Sequence, residues 1–136
     1  MDLNTALDLA YSGMNAETAR LKVISENLAN AESTATTPGG DPYRRQLVTF
    51  SNVFDRTINA KRVKVAGVIP VAGAFSKRYE PNHPAADASG YVSIPNVNPI
   101  TELTDMRDAQ HSYQANLNVV DAVKAMVSRT IDLLRA

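Results

Sequence analysis

Few residues in this chain have the type and spacing to do chemistry, and each is better read as structure. There are two histidines, His83 and His111. His83 sits between Asn82 and Pro84, and His111 follows Asp108 by one helical turn. A zinc site needs three or four convergent ligands, and no pair of histidines stands four apart on a helix. Cysteine is absent, which removes thiolate metal sites, disulfides and cysteine nucleophiles together. No serine lies in a G-x-S-x-G elbow, and neither histidine has the context of a catalytic base. Pro38-Gly39-Gly40-Asp41 is glycine-rich but lacks the Gly-Lys-Ser/Thr of a phosphate loop, so it reads as a turn. These residues predict no catalytic residue, no metal and no cofactor. They indicate neither an enzyme nor a small-molecule substrate.

Charge is balanced in sum and uneven in place. Lys+Arg and Asp+Glu are 14 each, a formal net charge of zero. Between Arg44 and Arg78 stand eight basic residues (Arg44, Arg45, Arg56, Lys61, Arg62, Lys64, Lys77, Arg78) and one acid, Asp55. A nucleic-acid surface would add exposed aromatics on a known module, and none is legible. The stretch reads instead as a solvated or subunit-facing surface that complements acidic helices. Asn27 and Asn30 flank Leu28 in a run of otherwise good helix formers. Asparagine bonds to nearby backbone and favours ends and turns, so the pair fits either directed contacts or a plain helix end.

The elements that carry these residues follow from periodicity. Leu3, Leu7, Ala10, Met14, Glu17, Leu21, Ile24, Leu28 and Ala31 recur at steps of four and three, and all but Glu17 are apolar. That heptad stripe predicts a long amphipathic helix able to pack along another. Gly13 is its weak point, costing about 1 kcal/mol relative to alanine. A second stripe runs through Leu103, Met106, Gln110, Tyr113, Leu117, Val120, Lys124, Val127, Ile131 and Leu134, broadened by Ala109, Val119, Val123 and Met126. Thr101 is the expected N-cap, with Glu102 near the positive end of the helix dipole.

The middle of the chain differs from its ends. Residues 33–100 hold all seven prolines and five of the six glycines. Residues 34–42 (TATTPGGDP) and 81–90 (PNHPAADASG) read as loops, and 46–50, 62–72 and 90–94 as short strands. Pro70 implies an edge strand or a break. The expected fold class is α+β. Long N- and C-terminal amphipathic helices pair as a coiled-coil-like hairpin with a small β-rich insert between them. The expected division is 1–32 and 101–136 as assembly helices around a central region, 33–100.

With 136 residues, 44% hydrophobic and 21% charged, the chain has the composition of one globular domain. Its start lacks the basic and apolar regions of a secretory signal, and no apolar run nears the roughly 20 residues of a membrane-spanning helix.

The motifs at both ends, and one between them, resemble the bacterial flagellar rod and hook axial protein family. Ser12-Gly13-Met14 and Ser25-Glu26-Asn27-Leu28-Ala29-Asn30-Ala31 are similar to its N-terminal signature. Ser112-Tyr113-Gln114-Ala115-Asn116, with Val120, Lys124 and Met126, is similar to its C-terminal helix. Residues 79–92 (YEPNHPAADASGYV), Pro95-Asn96-Val97-Asn98 and Pro42-Tyr43-Arg44-Arg45 resemble the central motif of its short proximal rod subunits.

The resemblance implies a structural subunit of the periplasm-spanning rod of the flagellar basal body. It implies export through the flagellar type III apparatus without a cleaved signal peptide. The implied partners are the other rod subunits FlgB, FlgF and FlgG and the rod-base adaptor FliE. The expected subunit-interface residues are Leu7, Leu21, Ile24, Asn27, Leu28 and Asn30 in the first helix. In the second they are Tyr113, Asn116, Leu117, Val120, Val127 and Leu134. A soluble helical adaptor or chaperone of the flagellar export system would share the amphipathic ends without needing the β-rich insert. A small hydrolase would need a convergent polar site, and none can be nominated.

Overall fold

A computed structural model of the chain describes residues 2–135. The element order is α1 (Leu3–Ala29), β1 (Gln46–Asp55), β2 (Ala60–Pro70), β3 (Ser76–Tyr79), β4 (Tyr91–Ile94) and α2 (Pro99–Arg135). The class is α+β, with two terminal helices and two small sheets between them, as the periodicities predict. At 27 and 37 residues, the helices are about 40 and 55 Å long.

Both helix boundaries have local causes. Past Ala29 the backbone tightens into turns, with Ala31 N–H donating to Leu28 and Ser33 N–H to Asn30. The Asn30 side chain donates 2.8 Å to the Glu26 carbonyl, which also accepts the Asn30 N–H at 3.1 Å in the last turn. The start of α2 corrects the expected cap. Asn98 Oδ1, not Thr101, accepts from the N–H groups of Ile100 at 3.0 Å and Thr101 at 3.5 Å. Pro99 then takes the first helical position, where its missing N–H costs nothing and its ring pre-sets φ. Thr101 lies inside the first turn instead.

β1 runs five residues beyond the expected 46–50, while β2 and β4 stay close to the expected 62–72 and 90–94. β1 and β2 form one two-stranded sheet, joined by a turn over residues 56–59 that forces an antiparallel hairpin. Asp55 Oδ1 accepts from Thr57 N–H at 2.9 Å, and Asn59 takes the left-handed conformation at φ 49°. β2 stops at Pro70, where the chain lacks a donor. Val71 N–H then reaches Arg45 O at 2.8 Å to extend the pairing past it. β3, which no hydrophobic pattern announces, pairs antiparallel with β4 from Ser76↔Ile94 to Tyr79↔Tyr91.

The chain forms two compact units. The first comprises the described residues up to Leu21, Thr49–Gly67, and those from Arg107 onward. In it the helices run antiparallel: Leu7 shares a cavity wall with Val123 and Val127, and Gly13 lies against Asn116. Its buried residues are Ala10, Ala16, Ala109, Val120 and Val123. The buried face of α2 is therefore rotated from the strict seam, of which only Val120 is fully buried, towards Ala109 and Val123 of its broadened part. The close approach at Gly13 explains the rotation. A Cβ there would stand 2.7 Å from Asn116 Nδ2, so helices this near pack along their small side chains and turn larger ones outward. Gly13 is a packing requirement, not a weak point.

The second unit comprises Lys22–Val48 and Val68–Met106. Its apolar core holds Val23, Ile24, Ala85 and Val92. Asp87 organises the 81–90 loop: its Oδ1 accepts from Ser89 N–H at 2.9 Å and Tyr91 N–H at 3.0 Å. Gly90 closes that loop at φ 81°, with the Tyr79 ring 3.0 Å from where a Cβ would be. The other loop is tied to it by Gly39 N–H donating to Ala85 O at 3.1 Å.

Candidate assembly site

The second unit contains a polar hub built on Asn27, whose side chain is fully buried. Its Nδ2 donates to Gln46 O at 2.8 Å and to Glu102 Oε2 at 3.0 Å. Its Oδ1 accepts from Gln46 N–H at 2.9 Å and from the Tyr43 hydroxyl at 3.0 Å. Two donors and two lone pairs exhaust the capacity of a primary amide. Towards Gln46 the side chain behaves as a neighbouring strand would, so β1 begins where α1 supplies its first hydrogen-bond partner.

Glu102 is also fully buried, and its charge is compensated by Arg45. Arg45 Nε bonds Glu102 Oε1, while its Nη2 lies 3.0 Å from Asp105 Oδ2. Burial above all, then the negative charges of Glu26 and Glu102, push the Tyr43 hydroxyl above its ordinary pKa of 10.0. That keeps Tyr43 a donor to Asn27 at physiological pH. Asn96 completes the hub region by accepting from Arg45 N–H at 2.8 Å and donating to Val71 O at 3.2 Å. Arg44 lies 4.3 Å above the Phe75 ring and donates to Gly73 O at 3.0 Å.

Part of the basic stretch thus works within its own chain. Arg45 meets the acidic start of α2 from inside its own chain, whereas the sequence predicts a solvated or subunit-facing residue. Arg62 pairs with Asp55, Lys77 with Asp87 and Arg78 with Glu80. His83 Nδ1 accepts from Ala85 N–H at 3.0 Å and shapes its loop. His111 is exposed on α2. Among the described residues no group of three or more His, Cys, Asp or Glu could hold a metal ion, and no helix is long and apolar enough to cross a membrane.

The twelve residues expected at subunit interfaces divide by burial. Ile24, Asn27 and Val120 are buried within their own chain, and Leu7, Leu21, Leu28, Asn30, Tyr113, Asn116 and Leu117 are half-buried. Val127 and Leu134 are exposed, Leu134 by 83%. Around them α2 also exposes Val119, Met126, Ile131 and Leu133, and the β1–β2 hairpin exposes Phe50, Val53, Phe54, Val63, Val68 and Ile69. So much uncovered apolar surface on small units is the mark of a chain that buries it against others.

Of the hub, the sequence reading singles out Asn27 and assigns Glu102 only a dipole role. Tyr43, Arg45 and Asn96 go unassigned as contacts, although each lies in a quoted motif. Those motifs meet in space: the first helix supplies Asn27, the 42–45 run Tyr43 and Arg45, and the 95–98 run Asn96 and the capping Asn98.

Known proteins share these motifs. Residues 7–35 match the family described as flagella basal body rod protein. Residues 88–133 match the family described as flagellar basal body rod FlgEFG protein C-terminal. A flagellar basal-body rod protein FlgC from Agrobacterium fabrum is 47% identical over 134 residues, covering 98% of this chain and 96% of that one. The FlgC of Escherichia coli O157:H7 is 41% identical, with 98% of each chain covered. That of Borreliella burgdorferi is 33% identical, with 99% of each covered.

Proposed function

The chain belongs to the FlgC family of flagellar basal-body rod proteins and is a structural rod subunit, and from this premise we propose how it serves the rod. It polymerises with the rod subunits FlgB, FlgF and FlgG and with the adaptor FliE at the rod base, in the periplasmic part of the basal body. It travels through the flagellar type III export apparatus without a cleaved signal peptide, and its role is mechanical, with no catalysis. Residues 1–32 and 101–136 act as assembly helices and 33–100 as the central region between them.

One observation carries this reading: in the first unit the buried helix seam uses small residues, while Met126, Val127, Ile131, Leu133 and Leu134 stay exposed on α2. A chain folded for solitary life would bury the large side chains first. Side chains so placed are available to neighbouring subunits, and the twelve expected interface residues include two of them.

The test is a tagged copy expressed in a motile strain lacking its own. Detection of the tag in purified basal bodies, at the rod by electron microscopy, supports the proposal. A tag found only in soluble complexes with the export machinery, with rods assembled normally, overturns it in favour of an export adaptor.

A further inference from the structure

The first unit holds a groove of about 680 Å³, walled by α1 at Ser12 and Glu17 and by the hairpin at Phe50, Asn52, Lys61 and Val63. Glu17 Oε2 is buried and accepts no hydrogen bond, with Arg20 Nη1 3.7 Å away. That contact is an ion pair too long for a hydrogen bond, so Oε2 keeps an unused acceptor. On the hairpin wall, Lys61 makes no ion pair among the described residues. The groove thus offers one carboxylate, one ammonium and the half-exposed apolar side chains of Phe50 and Val63.

The same chain carries a matching end. Among the described residues Leu133 and Leu134 are the most exposed large apolar ones, at 78% and 83%. They stand on the last turn of α2 beside Asp132 and Arg135, which share one side of the helix at i, i+3 and make no ion pair among the described residues. Resting on the rod-subunit reading above, we propose that this groove receives the C-terminal turn of α2 from a second copy of the chain. Leu134 sits against Phe50 and Val63, Arg135 meets Glu17, and Asp132 meets Lys61. Charge complementarity selects this occupant: the groove's carboxylate and ammonium face a guanidinium and a carboxylate. Groove and helix end are different patches of one chain, so the contact is heterologous and propagates instead of closing into a dimer, as a rod requires.

The chain has no cysteine, so introduced thiols report contacts without background. Two differently tagged copies are co-expressed, one carrying Asn52→Cys and the other Leu134→Cys, and purified basal bodies are oxidised. The expected result is a disulfide-linked species bearing both tags, absent when either cysteine is alone. Both copies present in the rods with no such species overturns the proposal. Absence of a tagged, otherwise unaltered copy from basal bodies overturns the rod reading instead, so the two failures are distinguishable. Ser12→Cys replaces Asn52→Cys if the latter misfolds. Independently, Glu17→Arg and Arg135→Glu should each abolish swarming and together restore it. Single variants that swarm normally, or a folded double variant that does not recover, defeat the proposal.

Discussion

Asn27 Nδ2 and Glu102 Oε2 meet at 3.0 Å although 75 positions separate them in the chain. The contact joins α1 to the first turn of α2, and the remaining atoms of both side chains reach the start of β1 through Gln46 and Arg45. One amide and one carboxylate thus join three elements of the second unit.

Replacing Asn27 by leucine tests that role. The substitution raises intrinsic helix propensity by a few tenths of a kcal/mol but strips four hydrogen bonds, one from buried Glu102 and three from half-buried Gln46 and Tyr43. Each stranded group costs about 1–3 kcal/mol, with partial relief from relaxation, so a net loss of about 3 kcal/mol is expected in urea denaturation. Equal or greater stability would mean that the hub is not structural.

The ion pair predicts an asymmetry between its ends. Arg45→Ala leaves the fully buried Glu102 charge without its cation and should cost about 3–5 kcal/mol. Glu102→Gln removes the charge together with the need for compensation and should cost less. Arg45→Met with Glu102→Met should be milder than Arg45→Ala alone. Chemical denaturation of the three variants checks the order, and an Arg45→Ala loss below that of Glu102→Gln contradicts it.

Gly13 shows why part of the fold was illegible. In one dimension it is a helix-weakening residue; in three it is where Asn116 passes, its side chain within 2.9 Å of any added Cβ. Gly13→Ala should gain about 1 kcal/mol of propensity and lose about 1–3 to overpacking, for a small net destabilisation. Asn116 has limited freedom to yield, because its Nδ2 already donates to Ser112 O at 3.0 Å. Adding Asn116→Ser should recover the loss and expose the propensity gain. If Gly13→Ala alone stabilises the protein in thermal denaturation, the close approach is not tight.

The legible parts were those with a period or a punctuating residue: both helices, the loops at 34–42 and 81–90, and the stop at Pro70. The illegible parts depend on pairing across sequence distance. Nothing in Ser76-Lys77-Arg78-Tyr79 alternates, and it is a strand because Tyr91–Ile94 supplies its ladder. Glu102 resembles any acidic first-turn residue until Arg45 and Asn27 close over it. The heptad stripes identified the helices correctly, but periodicity alone does not say that the first unit's seam buries their smaller members, Ala10, Ala109, Val120 and Val123, and leaves the larger ones partly or fully exposed. Candidate assembly residues were legible as a stripe, joined by the asparagines of two motifs, Asn27, Asn30 and Asn116. Burial sorts them: Val120 is spent inside the chain, and Leu134 remains outside.

Acidification should loosen the 81–90 loop. Bonds from Tyr91 and Ser89 N–H and the nearby Lys77 ammonium hold Asp87 below its ordinary pKa of 3.8. A depressed folded value means that Asp87 contributes its stabilisation above pH 3.8 and loses it as pH falls through the lower, folded pKa. In NMR spectra the amides of Ser89 and Tyr91 should shift and lose exchange protection below pH 3.8. Asp87→Asn should show the loosened state at neutral pH. Amides that stay protected well below pH 3.8 would remove Asp87 from this role.

The last test separates residues that fold the chain from those left for its neighbours. Val120 and Val127 stand seven apart on α2, both on the predicted stripe, yet Val120 is 2% exposed and Val127 40%. Val120→Asp puts an unpaired charge among packed side chains, which costs several kcal/mol, so the variant should unfold at lower denaturant or fail to accumulate. Val127→Asp places its charge in water in the isolated chain and should shift stability by no more than about 0.5 kcal/mol. In an assembled rod that same carboxylate would be trapped between subunits, so Val127→Asp cells should make folded protein, lack complete rods and fail to swarm. Circular dichroism of the purified variant and electron microscopy of basal bodies read the two effects separately. Normal rods with Val127→Asp would show that this turn of α2 faces solvent in the assembly as well.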